Sequence, residues 1–245
     1  MEQKRERFSS RLGFILISAG CAIGLGNVWK FPYITGQYGG AAFVLIYIAF
    51  LILMGIPILV AELSVGRGSQ RSIARAMDVL EPKGTKWHWY KYLGMAGNYI
   101  LMLFYTTVAG WMLYYFFKTA AGGFDGLDAE GIGAAFNTML GRPGLMTGFM
   151  VVVVLICFAI CAQGLQAGVE KITKVMMLML LLLMIVLAVR SALLEGGEAG
   201  LEFYLKPNFG ALKEYGLLEV LFAALGQAFF TLSIGIGAIA IFGSY

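Results

Sequence analysis

Six nearly uncharged apolar stretches constrain this chain most: residues 12–29, 39–61, 92–117, 144–162, 175–194 and 220–245. Each approaches or exceeds the roughly 20 residues of helix needed to cross a bilayer core. Only Arg190 interrupts them. Water is absent at that depth, so a spanning segment must satisfy its own backbone polar groups, and a helix does so. The short alternating segments of a membrane barrel are missing. Composition agrees: 60% of residues are hydrophobic and 13% charged, against about 25% charged in soluble domains. The sequence therefore predicts an all-α membrane protein with six transmembrane helices and no soluble domain.

The net charge of +4 does not point to nucleic acid, because the basic residues lie between apolar runs and form no continuous patch. Their distribution sets orientation instead. Lys4, Arg5, Arg7 and Arg11 precede the first span; Arg67, Arg71, Arg75, Lys83, Lys86 and Lys91 follow the second; Lys171 and Lys174 precede the fifth. The alternate connections carry Asp125, Asp128 and Glu130, then Glu195, Glu198, Glu202 and Glu214. The predicted N-terminus is cytoplasmic and the location is the cell membrane. The start has a basic head and apolar run like a signal peptide, but no small-residue cleavage site closes it.

Cys21, Cys157 and Cys161 lie in apolar stretches without a CxxC partner, and are expected to be small buried apolar side chains. His88 sits between Trp87 and Trp89, a pattern of an interfacial belt rather than of acid–base work. No HExxH or G-x-S-x-G motif is present, so an enzyme is not expected. The segment 200–215, with its Pro207-Asn208 turn, reads as a surface helix or loop.

Two spans carry a G-x-G inside an apolar run: Gly24-Leu25-Gly26-Asn27, and Gly235-Ile236-Gly237 just after Thr231-Leu232-Ser233. Close helix packing is one explanation, since Gly20-x-x-x-Gly24 and Gly36-x-x-x-Gly40 fit the small-residue contact pattern. The other is a pair of discontinuous helices, whose corresponding positions would mark a binding site at mid-membrane. A break frees carbonyls that suit a hard cation and N–H groups that suit a carboxylate. Asn27 and Thr231 add neutral oxygens beside the two breaks. A sodium ion and a zwitterionic amino acid would fit such a site together. Glu62, near a span end, reads as a structural hydrogen-bond anchor, and Lys30 as either a gate or a residue snorkelling to headgroups.

The run from Gly20 to Tyr33 resembles the helix-1 signature of the neurotransmitter:sodium symporter family. Gln227-Ala228-Phe229-Phe230-Thr231-Leu232-Ser233 resembles its helix-6 signature. Gly55-Ile56-Pro57, Glu62 to Arg67, and Phe104-Tyr105 before Trp111 fit helices 2 and 3. The resemblance implies a leucine-transporter fold: residues 1–194 would be the first five-helix inverted repeat, 195–215 an outer connection, and 216–245 helix 6, with helices 1 and 6 broken at mid-membrane. Family members are about twice as long, so a C-terminal half of the same polypeptide is expected as a partner.

It also implies roles. Ala22, Asn27 and Thr231 would contribute to one sodium site, and Gly20 and Ile23 to a second. Leu25 and Gly26 N–H groups with the Tyr105 hydroxyl would hold the substrate carboxylate; Ala22, Leu101, Phe230, Thr231, Ser233 and Ile236 would surround the rest. Lys30 and Gln227 would belong to the outer gate, Arg5 and Phe8 to the inner one. Tyr47, Gln227 and Thr231 match part of a chloride site seen in some members. Gly24 stands where monoamine carriers of the family place aspartate, which favours substrates with their own carboxylate. The implied function is sodium-coupled import of a neutral, hydrophobic or aromatic amino acid; a channel or non-transporting membrane subunit is the alternative. Lys30 replaces a usual arginine, Phe8 a usual tryptophan, and helix 5 lacks a mid-helix proline.

Overall fold

The computed structural model describes residues 10–24, 26–210 and 212–245, with the side chains of Cys21 and Lys213 also set aside. The described elements are helical: α1 Arg11–Ala22, α2 Phe31–Gln37, α3 Ala41–Phe50, α4 Ile56–Ser69, α5 Ile73–Leu80, α6 Tyr90–Ala120 and α7 Ala129–Leu140. Then come α8 Pro143–Ala162, α9 Lys171–Leu193, α10 Gly197–Leu205, α11 Leu212–Tyr215, α12 Leu217–Leu232 and α13 Ala238–Gly243. Wide π-helical turns at Gly26–Lys30, Leu51–Gly55 and Leu165–Glu170 lead into α2, α4 and α9. The turn before α4 has a local cause. Pro57, in the first turn of α4, has no N–H to donate to the preceding turn.

Four continuous helical runs are long and apolar enough to cross a membrane: Ala41–Ser69, Trp87–Ala120, Pro143–Ala162 and Leu165–Leu193. The first and sixth expected spans are shorter apolar helices here, Arg11–Gly20 and Leu217–Leu232. Helix ends also differ from the apolar windows. The fifth helical run begins ten residues before the expected start at 175, through Glu170, Lys171 and Lys174. A helix need not stop where hydrophobicity does, because its backbone bonds continue in water. The cysteines bring a correction: Cys157 and Cys161 are exposed, not buried. They lie on α8, in an apolar window of which 0% is buried in protein.

Two compact units divide the chain, residues 1–94 with 170–245, and residues 95–169. In the first, α3 packs on α12 through Ala42, Phe43, Ala224 and Ala228, with Tyr47 and Val220 in the same core. Small residues let these two backbones approach. Closer still, α13 lies along α4, where a side chain at Gly66 would strike the Ala240 backbone and one at Gly243 the Leu63 backbone. At the start of α1, Ser10 accepts the Gly13 N–H at 3.0 Å, an N-cap, and also the Lys174 ammonium at 3.3 Å. Lys174 pairs with buried Glu170 at 2.6 Å.

The second unit is an aromatic layer between α6, α7 and α8. Trp111 meets Phe136 edge-on at 5.8 Å, Tyr115 stacks on Phe124 at 5.4 Å, and Lys118 lies 4.7 Å above the Phe124 ring. Outside the spans, the Glu81 carboxylate contacts His88 Nδ1 at 2.8 Å. Desolvation opposes the charge on Glu81, but its hydrogen bonds with His88 outweigh this and hold the carboxyl below its ordinary range. His88 thus has a specific acidic partner seven residues away, which the surrounding tryptophans did not reveal.

Candidate functional site

The site begins where α1 stops. Ile23 closes the helix with its N–H on the Ala19 carbonyl at 2.7 Å, and its ψ of 74° takes the chain out of the helical path. Helical structure resumes at Gly26. Across that interruption the Asn27 N–H donates to the Gly24 carbonyl at 3.0 Å, and Asn27 Nδ2 to the Ala22 carbonyl at 2.6 Å. The asparagine thus caps the end it follows.

On the other side stands α12. The Thr231 hydroxyl donates to Asn27 Oδ1 at 2.8 Å and accepts from the Tyr47 hydroxyl at 2.9 Å. Gln227 Nε2 donates to Asn27 Oδ1 at 3.2 Å and reaches the Gly26 carbonyl at 3.5 Å. A relay therefore runs from Tyr47 through Thr231 and Asn27 to the Ala22 carbonyl. Gln227 is buried, and among the described residues its Oε1 has no hydrogen-bond partner. Such an atom costs about 1–3 kcal/mol, so this polar cluster is expensive for a purely structural feature.

The helix α12 ends at Leu232, and α13 begins at Ala238. Between them Ser233, Gly235 and Gly237 have φ of 50°, 90° and 74°. Those values lie in the left-handed region that glycine enters freely. The Gly235 N–H donates to Glu62 Oε1, which makes Glu62 the anchor that its position suggested. Phe230 packs over Gly26 so closely that a methyl group there would collide with the ring. Lys30 Nζ lies 5.9 Å from the centre of that ring.

Of the residues singled out by sequence, the structure gathers Ala22, Gly26, Asn27, Tyr47, Gln227 and Thr231 into one hydrogen-bonded cluster. Phe230 and Lys30 adjoin it. Ser233 and Ile236 lie in the turn after α12. Gly20 packs on Thr173 and Met177 of α9, while Gly24 and Ile23 lie at the interruption itself. Leu101 and Tyr105 lie on α6 within the second unit. Arg5, Phe8 and Leu25 fall outside the described residues. Sequence reasoning missed Tyr90, whose hydroxyl donates to the Gly235 carbonyl at 2.8 Å. It lies next to the Trp87–Trp89 run, and nothing in the sequence separates it from an interfacial aromatic.

Among the described residues no group of three or more His, Cys, Asp or Glu side chains could hold a metal ion. The oxygens gathered at Asn27 are neutral: a carbonyl, an amide oxygen and a hydroxyl. That set fits a weakly bound monovalent cation better than a resident transition metal, which takes nitrogen or sulfur ligands.

Four long apolar helical runs, with the polar cluster at the interrupted ones, fit a multi-pass membrane protein. The chain belongs to the sodium:neurotransmitter symporter family, whose model matches residues 5–124 and 132–245. It is 39% identical over 244 residues to an uncharacterized sodium-dependent transporter of Bacillus subtilis, covering 100% of this chain and 53% of that protein. It is 27% identical to the mouse sodium-dependent neutral amino acid transporter B(0)AT2, covering 100% of this chain and 36% of that one. The crystal structure of MhsT in complex with L-phenylalanine superposes with a TM-score of 0.84 at 41% identity, covering 99% of this chain and 54% of MhsT. The chain thus spans about half the length of its bacterial relatives.

Proposed function

We propose that this chain forms part of a sodium-coupled symporter that imports a neutral, hydrophobic or aromatic amino acid by alternating access. The observation that carries the reading is the relay joining Tyr47, Thr231, Asn27 and the Ala22 carbonyl across two interrupted helices. In this reading α1 with α2, and α12 with α13, are each one span broken at mid-membrane. With the four long runs they make six spans, and the N-terminus is cytoplasmic.

Asn27 points its amide nitrogen at the Ala22 carbonyl. Rotating that amide by 180° would turn Oδ1 from the Thr231 hydroxyl to the Ala22 carbonyl, and a sodium ion between the two oxygens would replace the N–H. Cation binding would then pull Asn27 from its cap and reset Thr231 and Gln227 on α12. This gives sodium a means to alter both interruptions at once. A second sodium ion at the Gly20 and Ile23 carbonyls, and chloride at Tyr47, Gln227 and Thr231, belong to the same proposal. Phe230 and Ile236 would supply apolar surface for the substrate side chain, and the Leu25 and Gly26 N–H groups would hold its carboxylate. The amino-acid and phenylalanine ligands in the names of the relatives support this substrate class.

Each charge moving down the membrane potential yields about 2.3 kcal/mol per 100 mV, so two sodium ions would drive roughly a thousandfold accumulation. The test is uptake of labelled phenylalanine into vesicles carrying the protein from its complete reading frame. Uptake should require sodium and rise with an inside-negative potential. Undiminished uptake in sodium-free buffer would refute the coupling.

A further inference from the structure

Residues 233–237, between α12 and α13, have left-handed φ values at three of five positions. Such a turn lacks the ladder of a helix, and its two glycines leave the backbone many other conformations. Something outside it must choose one.

One residue is held from both sides. The Gly235 N–H donates to Glu62 on α4, and the Gly235 carbonyl accepts from the Tyr90 hydroxyl at 2.8 Å. Two hydrogen bonds at opposite ends of one residue fix how its backbone is turned, which a single contact would leave free to swivel. Beside it, a Cβ at Gly237 would press on the Ile73 side chain of α5, and one at Gly94 would sit 3.3 Å from the same isoleucine. All of these residues belong to the first unit. Tyr90 itself is the first residue of α6 and directly follows the Trp87–Trp89 turn. That turn is tied to the end of α5 by the Glu81–His88 contact, and Lys91 bonds Asp78 of α5 at 3.0 Å.

We infer that Tyr90 is a positioning residue for the substrate site, acting through the Gly235 carbonyl. With Glu62 it sets the path of the turn, and so the placement of Ser233 and Ile236 on either side of the clamped Gly235. This rests on the proposal that those two residues flank the substrate. The clamp also connects the turn to α5 and the Trp87–Trp89 segment, so that a shift in that segment is felt at Gly235.

The test uses Tyr90→Phe in the protein from its complete reading frame, held in lipid nanodiscs, with Tyr92→Phe as control because Tyr92 is exposed. Phenylalanine keeps the ring and removes only the hydroxyl. Amide exchange across residues 235–237 should rise about tenfold in Tyr90→Phe. The dissociation constant for the amino acid should rise five- to tenfold, while the maximal uptake rate stays within twofold. Tyr92→Phe should change neither. Adding Glu62→Gln to Tyr90→Phe should cost less than the product of the two single effects, because both hold one residue. Exchange that is unchanged in Tyr90→Phe would overturn the clamp. Faster exchange with unaltered affinity would overturn the positioning role. If the wild-type protein bound no amino acid, the function reading and the positioning role would fall together, and the exchange arm would still decide the clamp.

Discussion

The two interruptions, one after α1 and one after α12, share a G-x-G in sequence and use it for different ends. In the first, Gly26 is needed for space, because the Phe230 ring lies against its backbone. In the second, Gly235 and Gly237 are needed for conformation, with φ of 90° and 74°. The first is held by polar side chains: Asn27 from within, Gln227 and Thr231 from α12. The second is held at its main chain by Glu62 and Tyr90. One interruption therefore offers side-chain oxygens that can change partners, and the other is a turn whose shape is imposed by its neighbours. In the proposed reading the first responds to a cation and the second holds still.

Substitution of each glycine would break this comparison if it were wrong. Gly237→Ala places a Cβ at positive φ, which costs about 1–2 kcal/mol, and presses on Ile73, for a total on the order of 2–4 kcal/mol. Adding Ile73→Ala should recover none of the backbone part. Gly26→Ala meets only the far end of the Phe230 side chain, which can turn aside, so it should cost about 1 kcal/mol in stability. Its main effect should be loss of amino-acid affinity. Thermal melting and equilibrium binding on both variants check this, and equal stability losses would erase the distinction.

A smaller effect sharpens the first interruption. The Asn27 side chain shares hydrogen bonds with Ala22, Thr231 and Gln227, and the Thr231 hydroxyl, among the described residues, with Asn27 and Tyr47. Removing one partner of a buried hydrogen bond costs about 1–3 kcal/mol. Asn27→Ala should raise the sodium concentration for half-maximal uptake about thirtyfold, and Thr231→Ala about tenfold, measured by sodium titration. The reverse ranking would place the cation nearer α12 than the interruption of helix 1.

The smallest effect lies farthest away. Because Glu81 is held below its usual range, its pairing with His88 contributes fully above the unfolded value of about 4.3 and is lost as pH falls through the lowered folded one. Glu81→Gln should abolish that acid-side dependence, measured by thermal melting across pH.

The long helices were legible because lipid demands unbroken apolar runs. Their true ends were not, since Leu165 to Lys174 continues a helix through charged residues. Asn27, Thr231, Gln227 and Tyr47 were each legible through family motifs. Their hydrogen-bonding order was not, because it depends on contacts about 180 to 200 residues apart in sequence. Tyr90 left no signal for the same reason: its partner is a backbone carbonyl, which any residue supplies.

In the proposed cycle a sodium ion binds at Ala22, Asn27 and Thr231 and enables amino-acid binding at the same interruption. The most direct measurement is equilibrium binding of labelled phenylalanine at about 1 and 100 mM sodium, with choline as replacement, in wild type and Asn27→Ala from the complete reading frame. Wild type should bind about tenfold more tightly or better at the higher concentration, through coupling of the kind that links two ligands. Asn27→Ala should lose most of that gain. Equal affinity at both sodium concentrations in the wild type, or an undiminished gain in Asn27→Ala, would contradict it.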